Sequence, residues 1–285
     1  MALDSNWFTE ICEEGGSAFS LRIRRKLHEE QTEYQRIEIY ETEAFGNLMV
    51  IDGFIMLSSL DNFLYHEMMS HPAIFTHPEP KRVVIIGGGD CGTLREVLRH
   101  AEIESALQVE IDERVTRLAE EYFPKLCEAN DDPRAEFFFG DGIRWMKEAT
   151  PGSVDVIIVD STDPIGPAKG LFTEDFYRDC RRALGESGVL VQQSESPLYH
   201  MDILKPMHRA MRAAGFENTL SLHYPQPVYP SGWWTATMAG AGVDFGRFRG
   251  ADAERPPFET RYYCAATHRA AMAQPPFFTR ALAEE

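Results

Sequence analysis

The stretch VVIIGGGDCGTLREVL, residues 83–98, decides the fold class. Four apolar residues run into a glycine-rich turn, and the turn opens a segment with helical character. Strand, tight turn and helix in that order are the context in which Gly87, Gly89 and Gly92 meet the pattern G-x-G-x-x-G of a nucleotide-binding loop. Glycines permit the turn and let a ligand lie against the backbone. The unusual member of the loop is Asp90. Its carboxylate would oppose a pyrophosphate laid over the glycines, and it would attract an ammonium or a sulfonium. At an effective dielectric near 20, a charge pair at ~4 Å is worth on the order of 4 kcal/mol before desolvation. The loop therefore favours a sulfonium nucleoside of the S-adenosylmethionine type over a dinucleotide. Asp90 as a cap of the following helix is compatible with that reading.

Outward from the loop, strands and helices alternate. Strands are expected at 82–86, 106–111, 135–139, 154–159, 188–192 and 232–238, and helices near 93–99, 112–122, 142–148, 173–184 and 199–214. This rhythm predicts an α/β fold with a doubly wound, mainly parallel sheet. Right-handed crossovers put the loops that follow the strands on one edge. After residue 240 the pattern is irregular, with one further strand expected at 262–264 and a short terminal helix. Upstream, 19–27, 34–40 and 48–57 read as strands, the last folded on itself at Asp52-Gly53, a good two-residue hairpin turn. Residues 61–76 read as a helix capped by Asp61 or Asn62. The expected divisions are a β-rich part at 1–62, a helix and linker at 63–80, and the α/β part at 81–285.

Three further acids fall at strand ends. Glu110 closes LQVEID, where a carboxylate can accept both hydroxyls of a ribose; it can equally be a neighbour of a helix cap at Asp112. In FFFGDGIRWM, Asp141 and Gly142 stand where a side chain and a backbone N–H can reach an adenine ring, and the same pair is an ordinary turn signal. VDVIIVDSTDPIGPAKGLF is the most informative segment. Its buried-type strand delivers Asp160 to the edge that carries the glycine loop. Asp163 follows three residues later, biased by Pro164 to extended or turn geometry. Such acids suit an amine: one carboxylate holds a protonated nitrogen and another takes its proton. Strand-cap and turn roles, or a magnesium site, are the other readings of the same residues.

The chain has 285 residues, 44% of them hydrophobic, and 28 Lys+Arg against 45 Asp+Glu, a formal charge of −17. Duplex nucleic acid is disfavoured as a partner by that charge. A cationic small substrate is favoured, although acidity also serves solubility alone. The cysteines at 12, 91, 127, 180 and 264 form no C-x-x-C pair or metal spacing, which fits free thiols in a reducing compartment. An acidic N-terminus does not resemble a secretory signal, and no apolar run reaches the length of a membrane span. A cytoplasmic location is the expectation.

Taken together the motifs identify a family. TEYQRIEIYE, FGNLMVIDGFIMLSSLDNFLYHEMMSHP, the glycine loop, VEID, DDPR, GDG, DSTDPIGPA with LF, VYPSG and RYYCAATHRAAMAQPPF all resemble the spermidine synthases, the aminopropyltransferases of polyamine biosynthesis, in their bacterial branch. DSTDPIGPA and YHEM are far more specific than a glycine loop. The resemblance implies a small N-terminal β-rich domain before a Rossmann-like, methyltransferase-type catalytic domain, and a homodimer or homotetramer. It implies transfer of an aminopropyl group from decarboxylated S-adenosylmethionine to putrescine, giving spermidine and methylthioadenosine, with no metal and no bound cofactor. Carried over by position, Gln35, Gly87, Glu110, Asp141, Gly142 and Pro167 would contact the nucleoside. Tyr65, His66, Asp90, Asp163, Gln193 and Tyr229 would contact the amine groups, with Glu195 a further candidate, and Asp160 would be the base. Cys91 departs from the family, which has glycine or alanine there; cysteine disfavours positive φ, but the loop is expected to keep its fold.

The implied chemistry is displacement at the carbon beside a sulfonium, which leaves as a neutral thioether. Putrescine is protonated at neutral pH, so a base must free its lone pair. A methyltransferase would share Glu110 and Asp141 but has no need of Asp90 facing a donor carboxylate. A nicotinamide oxidoreductase and a polyamine-binding protein without activity are the other two rivals.

Overall fold

The computed structural model describes residues 3–164 and 166–284, apart from the side chain of Pro167. Five strands come first: β1 (Trp7–Cys12), β2 (Ser17–Gln31), β3 (Arg36–Thr42), β4 (Asn47–Ile51) and β5 (Phe54–Ser58). They form an antiparallel sheet in sequence order. Asp52 and Gly53 make the β4–β5 turn with φ of 51° and 92°, and Ile51 pairs with Phe54. Both central residues at positive φ match the twist of a two-residue hairpin. β1 was not legible in the sequence.

Helix α1 (Asn62–Thr76) follows. Asp61 stands at its N-cap position but caps nothing with its side chain, because its carboxylate accepts from the Ser58 hydroxyl at 2.6 Å. Asn62 likewise spends its amide on the carbonyls of Ser58 and Ser59.

Then come β6 (Arg82–Gly87), α2 (Gly92–Leu98), β7 (Ser105–Glu110), α3 (Glu113–Tyr122), β8 (Ala135–Phe139), α4 (Gly142–Glu148), β9 (Val154–Asp160), a 3-10 turn (Gly166–Phe172), α5 (Glu174–Ala183), β10 (Leu184–Gln193), α6 (Met201–Ala213), β11 (Asn218–Pro225) and β12 (Trp233–Gly240). The sheet order is β11-β12-β10-β9-β6-β7-β8. The five strands from β10 to β8 are parallel, and β12 runs antiparallel between β10 and β11. Successive residues point to opposite faces of a strand, and both faces are covered. Val83, Ile85, Val156, Ile158, Val189 and Val191 face a core shared with α1 and α2. Val84, Ile86, Ile157, Val159 and Leu190 face a second core with α4, α5 and α6. Apolar runs without alternation are what burial on two sides demands.

The expected alternation holds from residue 82 to 240, with β11 as the addition. Its sequence NTLSLHYP mixes polar and apolar residues because Ser221 is buried in a hydroxyl network with His208 and Thr237. The strand expected at 262–264 is absent. That segment pairs instead with a side chain: Glu67 of α1, 2% exposed, accepts the backbone N–H groups of Arg261, Tyr262 and Tyr263 at 2.8, 2.9 and 2.7 Å. Helices α7 (Gly250–Glu254), α8 (Ala265–Ala271) and α9 (Pro276–Ala283) complete the chain.

The N-terminal sheet docks on α3. Ile37, Ile39, Met49, Ile51 and Leu57 pack against Val115, Leu118, Ala119 and Phe123. Polar contacts align the join: Asn47 donates to the Tyr122 carbonyl at 2.8 Å, and Arg114 forks onto Glu30 at 2.8 and 2.9 Å. The docking walls a cleft over the carboxyl ends of β6, β7 and β9.

Truncating Glu67 to alanine strips three amides of their acceptor. Unsatisfied buried donors cost on the order of 1–3 kcal/mol each, so the expected loss is about 3 kcal/mol or more in urea unfolding, with faster amide exchange at 261–263. A loss below ~0.5 kcal/mol, the range of an ordinary surface change, contradicts this anchoring.

Candidate active site

Strand β6 lies between β7 and β9, and the chain leaves it toward β7 on one side and returns as β9 on the other. Such a reversal opens a crevice at the carboxyl ends of the strands. Gly87 and Asp160 are register partners across it, and Gly88 N–H donates to the Asp160 carbonyl at 2.7 Å. The approach is close enough to require glycine: a Cβ on Gly87, at φ 85°, would sit 2.1 Å from the Asp160 carbonyl oxygen. One backbone contact thus sets the glycine loop beside the strand-end acid.

The crevice is a cleft of about 520 Å³. Asp90, Glu110, Asp141, Asp160 and Asp163 all line it, and no Lys, Arg or His is among the lining residues described. Its apolar surfaces come from both sheets, including Met49, Ile51, Ile86, Val109, Val115 and Ile143. A smaller space of about 40 Å³ adjoins it, bounded by Glu10, Met56, Tyr65, Asp163, Gln193, Tyr229 and Trp234.

The Asp160 carboxylate is held at both oxygens. Tyr65 Oη donates to Oδ1 and Thr93 Oγ1 to Oδ2, each at 2.6 Å. Burial, and then the charge of Asp90, push its pKa above the ordinary carboxylate value despite those donors. Asp90 goes the other way. Burial raises it, but the His66 imidazole 3.2 Å away and the Gly92 N–H at 2.6 Å more than offset that, and its pKa falls. Burial alone would depress His66, and Asp90 reverses that too. The two therefore favour their charged forms together, with the imidazole, 1% exposed, behind the carboxylate and not in the cleft wall. Gly92 makes room for this: a Cβ there would lie 2.2 Å from the imidazole.

Cys91 sits in the left-handed region at φ 67°, fully buried, with Gln108 Nε2 3.8 Å from its sulfur. The loop keeps its form, and the thiol pKa is pushed up by the neighbouring Cys127 and by burial.

Glu110 Oε1 accepts from Asp112 N–H at 2.9 Å, while Asp112 itself caps α3. Glu110 is thus a neighbour of the cap at Asp112, and it also lines the cleft. Burial raises its pKa to about 7. Asp141 caps α4 through the N–H groups of Ile143 and Arg144 and still lines the cleft with Gly142. Gln35 donates to Asp112 at 3.0 Å from the opposite wall. Tyr229 donates to the Met56 carbonyl at 2.5 Å, tying β5 to the segment before β12. Asp163 is reached by Gln193 Nε2 at 3.5 Å, and burial, then Glu195, raise its pKa well above the ordinary range. Pro167 falls in the 3-10 turn, and its side chain lies outside the described residues.

Two site residues escaped the sequence reading. Thr93 gave no signal beyond its place directly after the last loop glycine. Glu10 lies on the unrecognised β1. Its carboxylate accepts from Ile55 N–H at 2.7 Å, and burial raises its pKa to about 7 against that bond, with Asp163 adding to the rise.

Comparison with known proteins agrees with this geometry. Residues 62–245 match the spermine/spermidine synthase domain, and residues 6–59 match the spermidine synthase tetramerisation domain. The chain is 65% identical to the polyamine aminopropyltransferase of Thioalkalivibrio sulfidiphilus, covering 99% of both chains. It is 66% identical to that of Methylococcus capsulatus, covering 98% of both. A crystal structure of spermidine synthase in complex with the transition-state analogue AdoDATO superposes with a TM-score of 0.95 at 36% identity, over 100% of this chain and 97% of that one. The spermidine synthase of Thermotoga maritima gives 0.92 at 36% identity, over 98% and 94%. No helix among the described residues is long and apolar enough to cross a membrane. With both family models matched in order and relatives aligned end to end, the chain belongs to the spermidine synthase family, the polyamine aminopropyltransferases.

Proposed function

We propose that this enzyme moves the aminopropyl group of decarboxylated S-adenosylmethionine to putrescine, with Asp160 as proton acceptor. The observation that carries the reading is the cleft lined by Asp90, Asp160 and Asp163 with no Lys, Arg or His among its described lining residues, His66 standing behind Asp90. Charges so placed need a cationic occupant, and donor plus acceptor supply a sulfonium and three ammonium groups.

Glu110 takes the ribose hydroxyls. Asp141, Gly142 and Gln35 hold the rest of the nucleoside against Ile86 and Ile143, with Gly87 giving room. Asp90, kept ionised by His66, holds the ammonium of the aminopropyl arm. Putrescine lies along Tyr65 and Tyr229. One nitrogen faces Asp160 and the other faces Asp163 and Gln193, with Glu10 beyond.

Asp160 accepts a proton from the near ammonium. The freed lone pair attacks the methylene carbon next to sulfur. The N–C bond forms as the C–S bond breaks, and its electron pair neutralises the sulfonium. Tyr65 and Thr93 fix the carboxylate in the plane the proton must reach, and burial strengthens it as a base. The acceptor's own pKa falls through desolvation and the adjacent sulfonium. Alignment of nitrogen, carbon and sulfur supplies the remaining acceleration. The same reading makes the enzyme a homodimer or homotetramer and places it in the cytoplasm, where five free thiols persist.

Three measurements test the assignment. Asp160→Asn is expected to lower kcat by roughly 10²–10⁴, the scale of a lost general base, while methylthioadenosine still binds; near-normal turnover ends the assignment. Asp163→Asn should chiefly raise the putrescine KM, and a change confined to nucleoside affinity contradicts its placement. Ionised Glu110 is the better ribose acceptor, and its folded pKa is raised to about 7. Nucleoside affinity should therefore weaken as pH falls through 7, and Glu110→Gln should flatten that profile. A wild-type profile already flat from about pH 9 to 5 (about two units either side of the raised value) counts against Glu110 as ribose ligand.

A further inference from the structure

Beyond the far end of the amine space, two segments distant in sequence are pressed together. The turn between β1 and β2 lies on the loop that precedes α6, so closely that a Cβ on Gly15 would stand 2.7 Å from the Tyr199 ring. This contact gathers Cys12 Sγ, a Glu14 carboxylate oxygen and an imidazole nitrogen of His200 within 4.8 Å of one another.

We propose that Cys12, Glu14 and His200 form a binding site for a thiophilic divalent metal ion of the zinc type. Thiolate, imidazole and carboxylate are the zinc donor set, and hard cations such as magnesium do not favour sulfur. Ligand atoms bonded to zinc at 2.0–2.3 Å are themselves roughly 3.5 Å apart. Cys12 Sγ and Glu14 Oε2 already stand at 3.9 Å, so small side-chain rotations close the set. Gly15 N–H points at Cys12 Sγ from 3.4 Å. Glu14 is exposed, which leaves a water-accessible fourth position, while Cys12 and His200 are each 7% exposed.

Independent support comes from behind the histidine. Glu195 Oε2 lies 3.0 Å from His200 Nδ1, the arrangement in which a carboxylate orients a metal-ligating imidazole. That position on the imidazole is therefore taken by a buried carboxylate, that of Glu195, which is 1% exposed. Its backbone is held at φ 71°, a conformation unfavourable for glutamate that locates strain at this loop.

The site touches the proposed reaction through charge. Asp163 feels both Glu195 and His200. A bound dication would weaken the attraction of that pocket for the far ammonium, raising the amine KM with kcat little changed. This kinetic consequence rests on the polyamine reading; metal binding itself does not.

The test is titration of the full-length, reduced, metal-free protein with cobalt(II), followed by displacement with zinc. Expected are one equivalent bound per chain, a near-ultraviolet sulfur-to-cobalt band, and its loss on adding zinc. Cys12→Ser should abolish the band. A Cys91→Ala/Cys127→Ala double variant should keep it, since that thiol pair lies elsewhere. Glu195→Gln should weaken binding 10–100-fold, the usual effect of losing such a partner. Absence of a stoichiometric band in the wild-type protein overturns the proposal without recourse to any variant. So does a band that survives Cys12→Ser or vanishes in the double variant. Stoichiometric binding with an unchanged amine KM would refute only the link to catalysis.

Discussion

Placing carboxylates in a desolvated cleft without a cation beside them is costly, and this molecule does it with Asp160 and Asp163. Both have raised proton affinity, as burial requires. Asp90 is the exception because His66 compensates it from within the core. A ligand carrying several positive charges favours the ionised carboxylates.

The fold serves to hold that arrangement. The parallel pairing of β6 with β9 fixes the glycine loop against Asp160, and the carbonyl contact at Gly87 leaves no latitude in their separation. Helix α1 brings Tyr65 and His66 on consecutive positions, one to Asp160 and one to Asp90. The N-terminal sheet supplies the opposite wall, so the cleft exists only when the sheet is docked on α3.

What was legible in the sequence follows from how local each signal is. The glycine loop, the acids at the ends of β7 and β9 and the Asp52-Gly53 turn depend on neighbours in the chain, and each was readable as pattern. Period-free apolar runs announced a sheet buried on both sides. By contrast, β1 has polar residues inside because Glu10 is turned inward to cap the Ile55 amide, and β11 buries hydroxyls in a network that no hydropathy pattern encodes. The 262–264 segment has strand-like composition, yet its amides find a side chain from α1 instead of a neighbouring strand. Thr93, Glu10 and the gathering of Cys12 with His200 are products of tertiary contact between distant segments. Cys91 shows the limit of residue preference: the loop imposes a left-handed conformation, and a buried cysteine accepts it.

The central claim is that Asp90 selects a donor arm ending in an ammonium alone. Calorimetric titration of the enzyme with decarboxylated S-adenosylmethionine and, separately, with S-adenosylmethionine tests it most directly, because the two differ only by the carboxylate that Asp90 would confront. The expected result is at least ~10²-fold weaker binding of the carboxylated donor, about 2.7 kcal/mol, with the gap narrowing in Asp90→Asn. Equal affinities, or a preference for S-adenosylmethionine, would contradict the claim.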